Sequence, residues 1–169
     1  MAANAIELVT NGGFELGNLT GWTCTDADVC STGQFIANSG TYAFFGFDNS
    51  GFGTLSQTIA TVAGASYDVS FYSNAYQSDP GNILRYQIGS GPIVNVPLTL
   101  AYALTSTSFV AGGATSTINF FFETDPDTGS WRIDDVYVTA VTAMVPEPGT
   151  LALLGLGLVG LGLSRRRKM

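Results

Sequence analysis

Histidine is absent from the 169 residues, which leaves thirteen carboxylates, six basic side chains, two cysteines and an abundance of aromatic rings to do any chemistry. Without His, neither a Ser-His-Asp nor a Cys-His nucleophile can be assembled. Paired carboxylates are the minimum for glycoside hydrolysis, but a chain rich in Asp places acids near one another by chance, and the sequence is read as non-enzymatic. The stretch Gly155–Gly160, "GLGLVG", spells a dinucleotide-binding loop, yet only nine residues follow it. No ribose-binding acid can therefore sit about 20 residues further on. "DPDTG", from Asp125, resembles half a calcium loop but reads better as a Pro-containing hairpin turn.

The two cysteines, Cys24 and Cys30 in "CTDADVC", are too widely spaced for a redox CxxC pair and have no partner ligands for zinc. In an oxidising compartment they predict one loop-stapling disulfide; in a reducing one they would be idle thiols. Charge is segregated as well. Residues 1–145 carry 12 acids against Arg85 and Arg132, whereas Arg165, Arg166, Arg167 and Lys168 crowd the end of the chain. A body with that excess of acid repels a phosphate backbone, so nucleic acid is excluded as a partner. Divalent cations and neutral glycans are compatible with it.

The elements that must position these groups are strands. From Ile6 to Thr142, short alternating runs are punctuated by turn clusters every 8–15 residues, and Thr, Val, Tyr and Phe dominate. The runs are "IELVT", "QFIA", "YAFFGF", "GTLSQTIAT", "SYDVSFYSNAY", "ILRYQIG", "IVNVPLT", "LTSTSFVAG", "STINFFFET" and "SWRIDDVYVTAV". Alternation puts Tyr67, Val69 and Phe71 on one face of their strand, and Ile118, Phe120 and Phe122 on one face of theirs. In the last run Trp131 and Ile133 are in phase, but Val136 and Val138 are in the opposite phase. A β-bulge at Asp134-Asp135 reconciles them. The expected fold class is all-β, an antiparallel β-sandwich over 6–142, followed by a C-terminal hydrophobic helix.

That last segment has three parts: a linker over 143–150 containing Pro146-Glu147-Pro148, an apolar run over 151–164, and a basic tail over 165–169. Uncharged residues run from Gly149 to Ser164, about 24 Å as a helix, against a bilayer core of about 30 Å. This is a marginal span, with its basic end cytoplasmic and the acidic body outside. Pro146 and Pro148 keep Glu147 extended and accessible to a protease. A short-lived membrane hold fits better than a lasting anchor, although a permanent C-terminal anchor is the competing reading. At the other end, residues 1–5 lack the basic and apolar regions of a secretory signal, while Ala3-Asn4-Ala5 has the form of its cleavage site. They are read as the remnant of a signal-peptide cleavage region, or else as an ordinary short N-terminus.

Two anchors, "LVTNGGFELGNLTGWT" (Leu8–Thr23) and "WRIDDVYV" (Trp131–Val138), resemble those of galactose-binding-like jelly rolls, notably carbohydrate-binding modules. "SGTYAFFG", "LSQTIATVAGASYDVSFYSNA" and "LRYQIG" between them are similar to that family's middle strands. The resemblance implies a structural Ca²⁺ held by Glu15 and by Asp134 or Asp135 with backbone carbonyls, which suits an ion that takes six to eight hard oxygens. The alternative for the two Asp is a solvated bulge. It also implies a sugar site on the concave sheet or in the end loops, for which Tyr72, Tyr76, Arg85 and Tyr86 are the candidates: rings stack on pyranose faces, and Arg donates to hydroxyls. Trp22 and Trp131 match core-anchoring positions.

"VPEPGTLALLGLGLVGLGLSRRRK" resembles the PEP-CTERM sorting signal of exopolysaccharide-associated bacterial proteins. This implies an exosortase that cuts near Pro146-Glu147-Pro148 and passes the body to the cell surface or matrix. The functional expectation is an exported surface protein, first an inner-membrane-anchored precursor, whose sandwich binds extracellular polysaccharide. A structural matrix protein without a ligand, and last a carbohydrate-active hydrolase, are the alternatives.

Overall fold

A computed structural model describes residues 6–126 and 129–141. The possible signal remnant (1–5), the linker with Pro146, Glu147 and Pro148, the expected helix over 151–164 and the basic tail lie outside the described residues, as do Asp127 and Thr128 of "DPDTG". Among the described residues, no helix is long and apolar enough to cross a membrane.

Ten strands form two five-stranded antiparallel sheets, a jelly-roll sandwich. They are β1 (Thr23–Thr25), β2 (Val29–Gln34), β3 (Tyr42–Phe47), β4 (Gly53–Ala60), β5 (Ser66–Ala75), β6 (Ile83–Ile88), β7 (Val94–Val96), β8 (Ala103–Val110), β9 (Thr115–Glu123) and β10 (Trp131–Ala140). One sheet has the order β1-β4-β9-β6-β7, the other β2-β3-β10-β5-β8. Alternation decides which side chains meet between the sheets. Phe44 of β3 meets Phe122 of β9 at 5.6 Å between ring centroids, and Phe71 of β5 meets Phe120 of β9 at 4.9 Å. All four rings are buried, and such pairs add about 0.5–1.5 kcal/mol each beyond the area they bury. Trp22 and Trp131 are buried too, Trp22 stacking on Phe14 at 5.5 Å, so both tryptophans pack the core.

Two segments differ from the sequence expectation. "IELVT" makes only an isolated bridge between Glu7 and Thr139, because the chain turns at Asn11 to bring Gly12 against β10. A Cβ at Gly12 would collide with the Val136 carbonyl, and that carbonyl-to-backbone approach is what excludes any side chain there. The segment read as the loop "CTDADVC" instead supplies β1 and β2, which belong to different sheets, while "QFIA" is strand only at Gln34 and then bends. The Cys24–Cys30 disulfide therefore joins the edge strands of the two sheets. The bulge falls where the phase change in β10 puts it: the β10–β5 register shifts between Asp134 and Tyr137, and Asp135 has φ 48°.

Candidate functional site

β10 is the central strand of its sheet and sends alternate side chains outward, Arg132 and then Asp134. Register carries each across the sheet. Arg132 lies beside Phe45 of β3 and Asn74 of β5; Asp134 lies beside Tyr72, which lies beside Leu104 of β8. At one end of this outer face a groove of about 410 Å³ opens between Phe45, Phe47, Tyr76 and Arg132, with Ile36 and Gln34 along one wall. The Arg132 guanidinium stands 5.3 Å from the centroid of the Tyr76 ring, a cation–π contact that fixes both planes. Tyr76 is 56% exposed. Phe35, between the two wall residues, is 95% exposed with φ 63°, so the chain holds a bare phenyl ring outward on a backbone conformation that a bulky non-glycine residue rarely adopts.

The loop that carries Phe35 and Ile36 is fastened to the bulge by carboxylates. Asp134 Oδ2 accepts the Asn38 and Ser39 amides at 2.7 and 3.1 Å, and its Oδ1 accepts the Asp135 amide at 2.8 Å. Asp135 accepts the Asn38 side-chain amide at 2.9 Å and the Ser39 hydroxyl at 2.8 Å. Glu15 accepts the amides of Thr41 and Tyr42 at 2.9 and 3.0 Å. Tyr102 completes the fastening by donating to the Ile36 carbonyl at 2.7 Å. Burial pushes the Asp134 carboxyl up to about 6, opposed by the three amides and reinforced by the charge of Asp135. Burial, and then the charge of Asp134, raises the Tyr102 hydroxyl as well.

Glu15, Asp134 and Asp135 are thus brought to one place from opposite ends of the chain. The vacant Cβ direction of Gly13 points between them, 3.6 Å from Asp135 Oδ1, 4.0 Å from Asp134 Oδ1 and 3.7 Å from Glu15 Cγ. Among the described residues, no three ligand-type side chains converge as a finished metal cluster. The donor set is nonetheless of the hard, anionic kind that Ca²⁺ takes.

The four residues singled out for sugar binding do not share one surface. Tyr72 and Tyr76 lie on the outer face of the β10 sheet. Arg85 lies on the outer face of the other sheet, over the Phe52 ring at 4.5 Å and bonded to Asn95. Tyr86 points between the sheets, edge-on to Phe71 at 5.5 Å. Strand alternation explains the split: Arg85 and Tyr86 are neighbours in β6 and must face opposite ways. Sequence reasoning missed Phe35, Phe45, Phe47 and Arg132. Phe45 and Phe47 alternate with Phe44 and Gly46, a signal that the strand has an aromatic outer face; nothing in the sequence marks Phe35.

Comparison with known proteins adds two findings. The model of the PEP-CTERM protein-sorting motif matches residues 145–168, so the chain carries the mark of a protein exported and sorted to the surface through exosortase processing. No curated protein matches the chain in sequence. Among solved structures, TmCBM61 in complex with β-1,4-galactotriose superposes with a TM-score of 0.64 at 21% identity, covering 80% of this chain and 99% of that one. The CBM22-1 xylan-binding domain of Xyn10C from Paenibacillus barcinonensis gives 0.60 at 13%, covering 84% and 99%. The enzymatically active domain of bacteriophage CBA120 tailspike protein 4 gives 0.65 at 18%, covering 80% of this chain but only 22% of that one. At such identities the likeness is one of fold: the described residues share the jelly-roll sandwich of these structures.

Proposed function

We propose that this is a surface-sorted, non-enzymatic protein whose sandwich binds an extracellular polysaccharide on the outer face of the β2-β3-β10-β5-β8 sheet. The observation that carries the reading is the groove walled by Phe45, Phe47, Tyr76 and Arg132. Flat rings present apolar faces to a pyranose, and the Arg fork donates to hydroxyls in a setting that is mostly apolar. Among the described residues, no carboxylate lines the groove, which argues for holding a glycan rather than hydrolysing one. The modules named above, one bound to galactotriose and one described as xylan-binding, lend the fold-level precedent.

Two further features complete the reading. Glu15, Asp134 and Asp135 would hold a structural Ca²⁺, whose charge would neutralise the buried acids and keep the loop bearing Phe35 and Ile36 against the groove. Pro146, Glu147 and Pro148 would be the exosortase cleavage region, the apolar run after them a transient inner-membrane anchor with its basic end cytoplasmic, and the cell surface or exopolysaccharide matrix the destination.

A glycan array probed with the purified protein tests the binding site. Tyr76→Ala and Arg132→Ala are each expected to reduce binding at least about tenfold, the loss of roughly one stacking or charged hydrogen-bond contact. Arg85→Ala should leave it unchanged. Binding to no glycan at all would instead favour a structural matrix role.

A further inference from the structure

The sandwich is polar end to end. β4 and β9 pair from Gly53 opposite Phe122 to Ala60 opposite Thr115, so these two ends lie roughly 24 Å apart at about 3.3 Å per residue. Glu123, Asp125, Asp48, Asp28 and Asp79 gather at the Gly53 end: Thr124 binds the Asp48 carbonyl, Asp28 the Asn49 amide, and Asp125 interacts with Asp79. The groove opens toward this acidic end, since Phe47 precedes Asp48.

The opposite end has no such charge. Residues 59–67, 109–118 and 136–141, which lie there, contain no Asp, Glu, Lys or Arg. Ile6, Leu8, Val62, Tyr67 and Ala140 line an apolar depression of about 260 Å³ there. Ile6, Val62, Val110 and Val141 are 75, 67, 66 and 45% exposed, and Val110 and Val141 both flank Ser66, one by register and one by an amide bond to its carbonyl. Two exposed acids border this end: Glu7, whose Oε1 accepts the amides of Val9 and Val138, and Asp68, next to Tyr67 on the outer sheet face beside Thr139 and Ser108.

This uncharged end is also where the chain leaves the sandwich. From Val141 to Gly149, the start of the apolar run, there are eight Cα steps, at most about 29 Å when fully extended. We propose that, while the tail is inserted, the Ile6–Val62–Val110–Val141 end rests on the lipid bilayer surface, with the acidic end and the groove directed outward. The inference rests on the reading of the tail as membrane-held. The tether starts at this end, which therefore lies nearer the inserted run, but its reach of about 29 Å spans the sandwich as well, so the choice between the two ends falls to the exposed aliphatic side chains and the charge. Exposed aliphatic side chains there gain by entering the interface, and an anionic surface repels the far end.

The test uses the full chain in vesicles of phosphatidylcholine and phosphatidylglycerol. A bimane label is placed at Val62→Cys or, in the acidic-end loop where a Cβ meets open space, at Gly51→Cys. The native cysteines are paired and do not compete for label. With nitroxide-bearing lipid, the label at position 62 should lose most of its emission and the label at 51 little of it. Val62→Asp combined with Val110→Asp, with the label at Ile6→Cys, should abolish the loss at position 6 while the protein still floats with the vesicles. Flotation without quenching at position 62 overturns the docking and leaves the tail reading standing; failure to float overturns both. Shielding of the 62 label without vesicles also overturns it, pointing to a second copy of the chain if it rises with concentration and to the chain's own apolar tail if it does not.

Discussion

Asp134→Asn separates two effects that oppose one another at the bulge. The Asp134 carboxylate takes three amides, from Asn38, Ser39 and Asp135, of which the last is buried. An Asn oxygen in the Oδ2 position keeps the first two, but its NH₂ then faces the Asp135 amide, and a buried donor without an acceptor costs about 1–3 kcal/mol. Against that stands the cost of ionised Asp134. Its pKa of about 6, against an ordinary 3.8, corresponds to about 3 kcal/mol at 1.36 kcal/mol per unit, which solvent screening lowers to about 1–2 kcal/mol. Because the folded pKa is raised, the folded protein holds the proton more tightly than the unfolded chain. Asp134 therefore contributes stability as pH falls through about 6, and the gain levels off below about 4. At pH 7 without calcium the two terms nearly cancel, and Asp134→Asn should melt close to the wild type. Between pH 7 and pH 5, where about half of the screened gain or less develops, the wild type should gain about 1–4 °C over the variant. Acidification relieves general repulsion among the acids in both proteins, so the difference between their slopes is the quantity that matters. Emission from Trp22 and Trp131 follows the melting in detergent-solubilised protein. Parallel slopes would show that burial does not hold Asp134 protonated and would refute the reasoning.

Saturating Ca²⁺ at pH 7 should raise the wild-type melting temperature and excess EDTA should reverse the rise; a curve indifferent to both would sink the proposed ion. Gly13→Ala puts a methyl group at ordinary contact distance among Glu15, Asp134 and Asp135, so its metal-free stability should stay within about 1 kcal/mol of wild type while the calcium response is lost. Replacing Cys24 and Cys30 together by Ser opens a short loop between the two sheet edges and should cost about 2 kcal/mol by the chain-entropy estimate, read as a denaturant midpoint that falls without a change in slope. Phe120→Ala removes a fully buried ring that meets Phe71 and Trp22, and about 3–5 kcal/mol of stability should go with it in the same assay.

The sequence by itself determined everything that depends on a local period. Alternation named Tyr67, Val69, Phe71, Ile118, Phe120 and Phe122 as core, and the phase change in "WRIDDVYV" located the bulge, because side chains in a strand must alternate and an inverted phase leaves room for one extra residue. The sorting motif was legible for the same reason: it is a contiguous string whose order is its meaning. What sequence could not decide was which outward faces meet. Tyr72, Tyr76, Arg85 and Tyr86 look alike as polar aromatics and a cation on neighbouring strands, yet β5 and β6 lie in different sheets, and only strand order sends Arg85 to the far side. Phe45 and Arg132 lie 87 positions apart in the chain and become neighbours only through β3–β10 pairing. The union of Glu15 with Asp134 and Asp135 around one loop came to the sequence reading through a resemblance; the hydrogen bonds that tie that loop to the bulge belong to tertiary structure alone, since each spans a gap in the chain that no periodicity crosses.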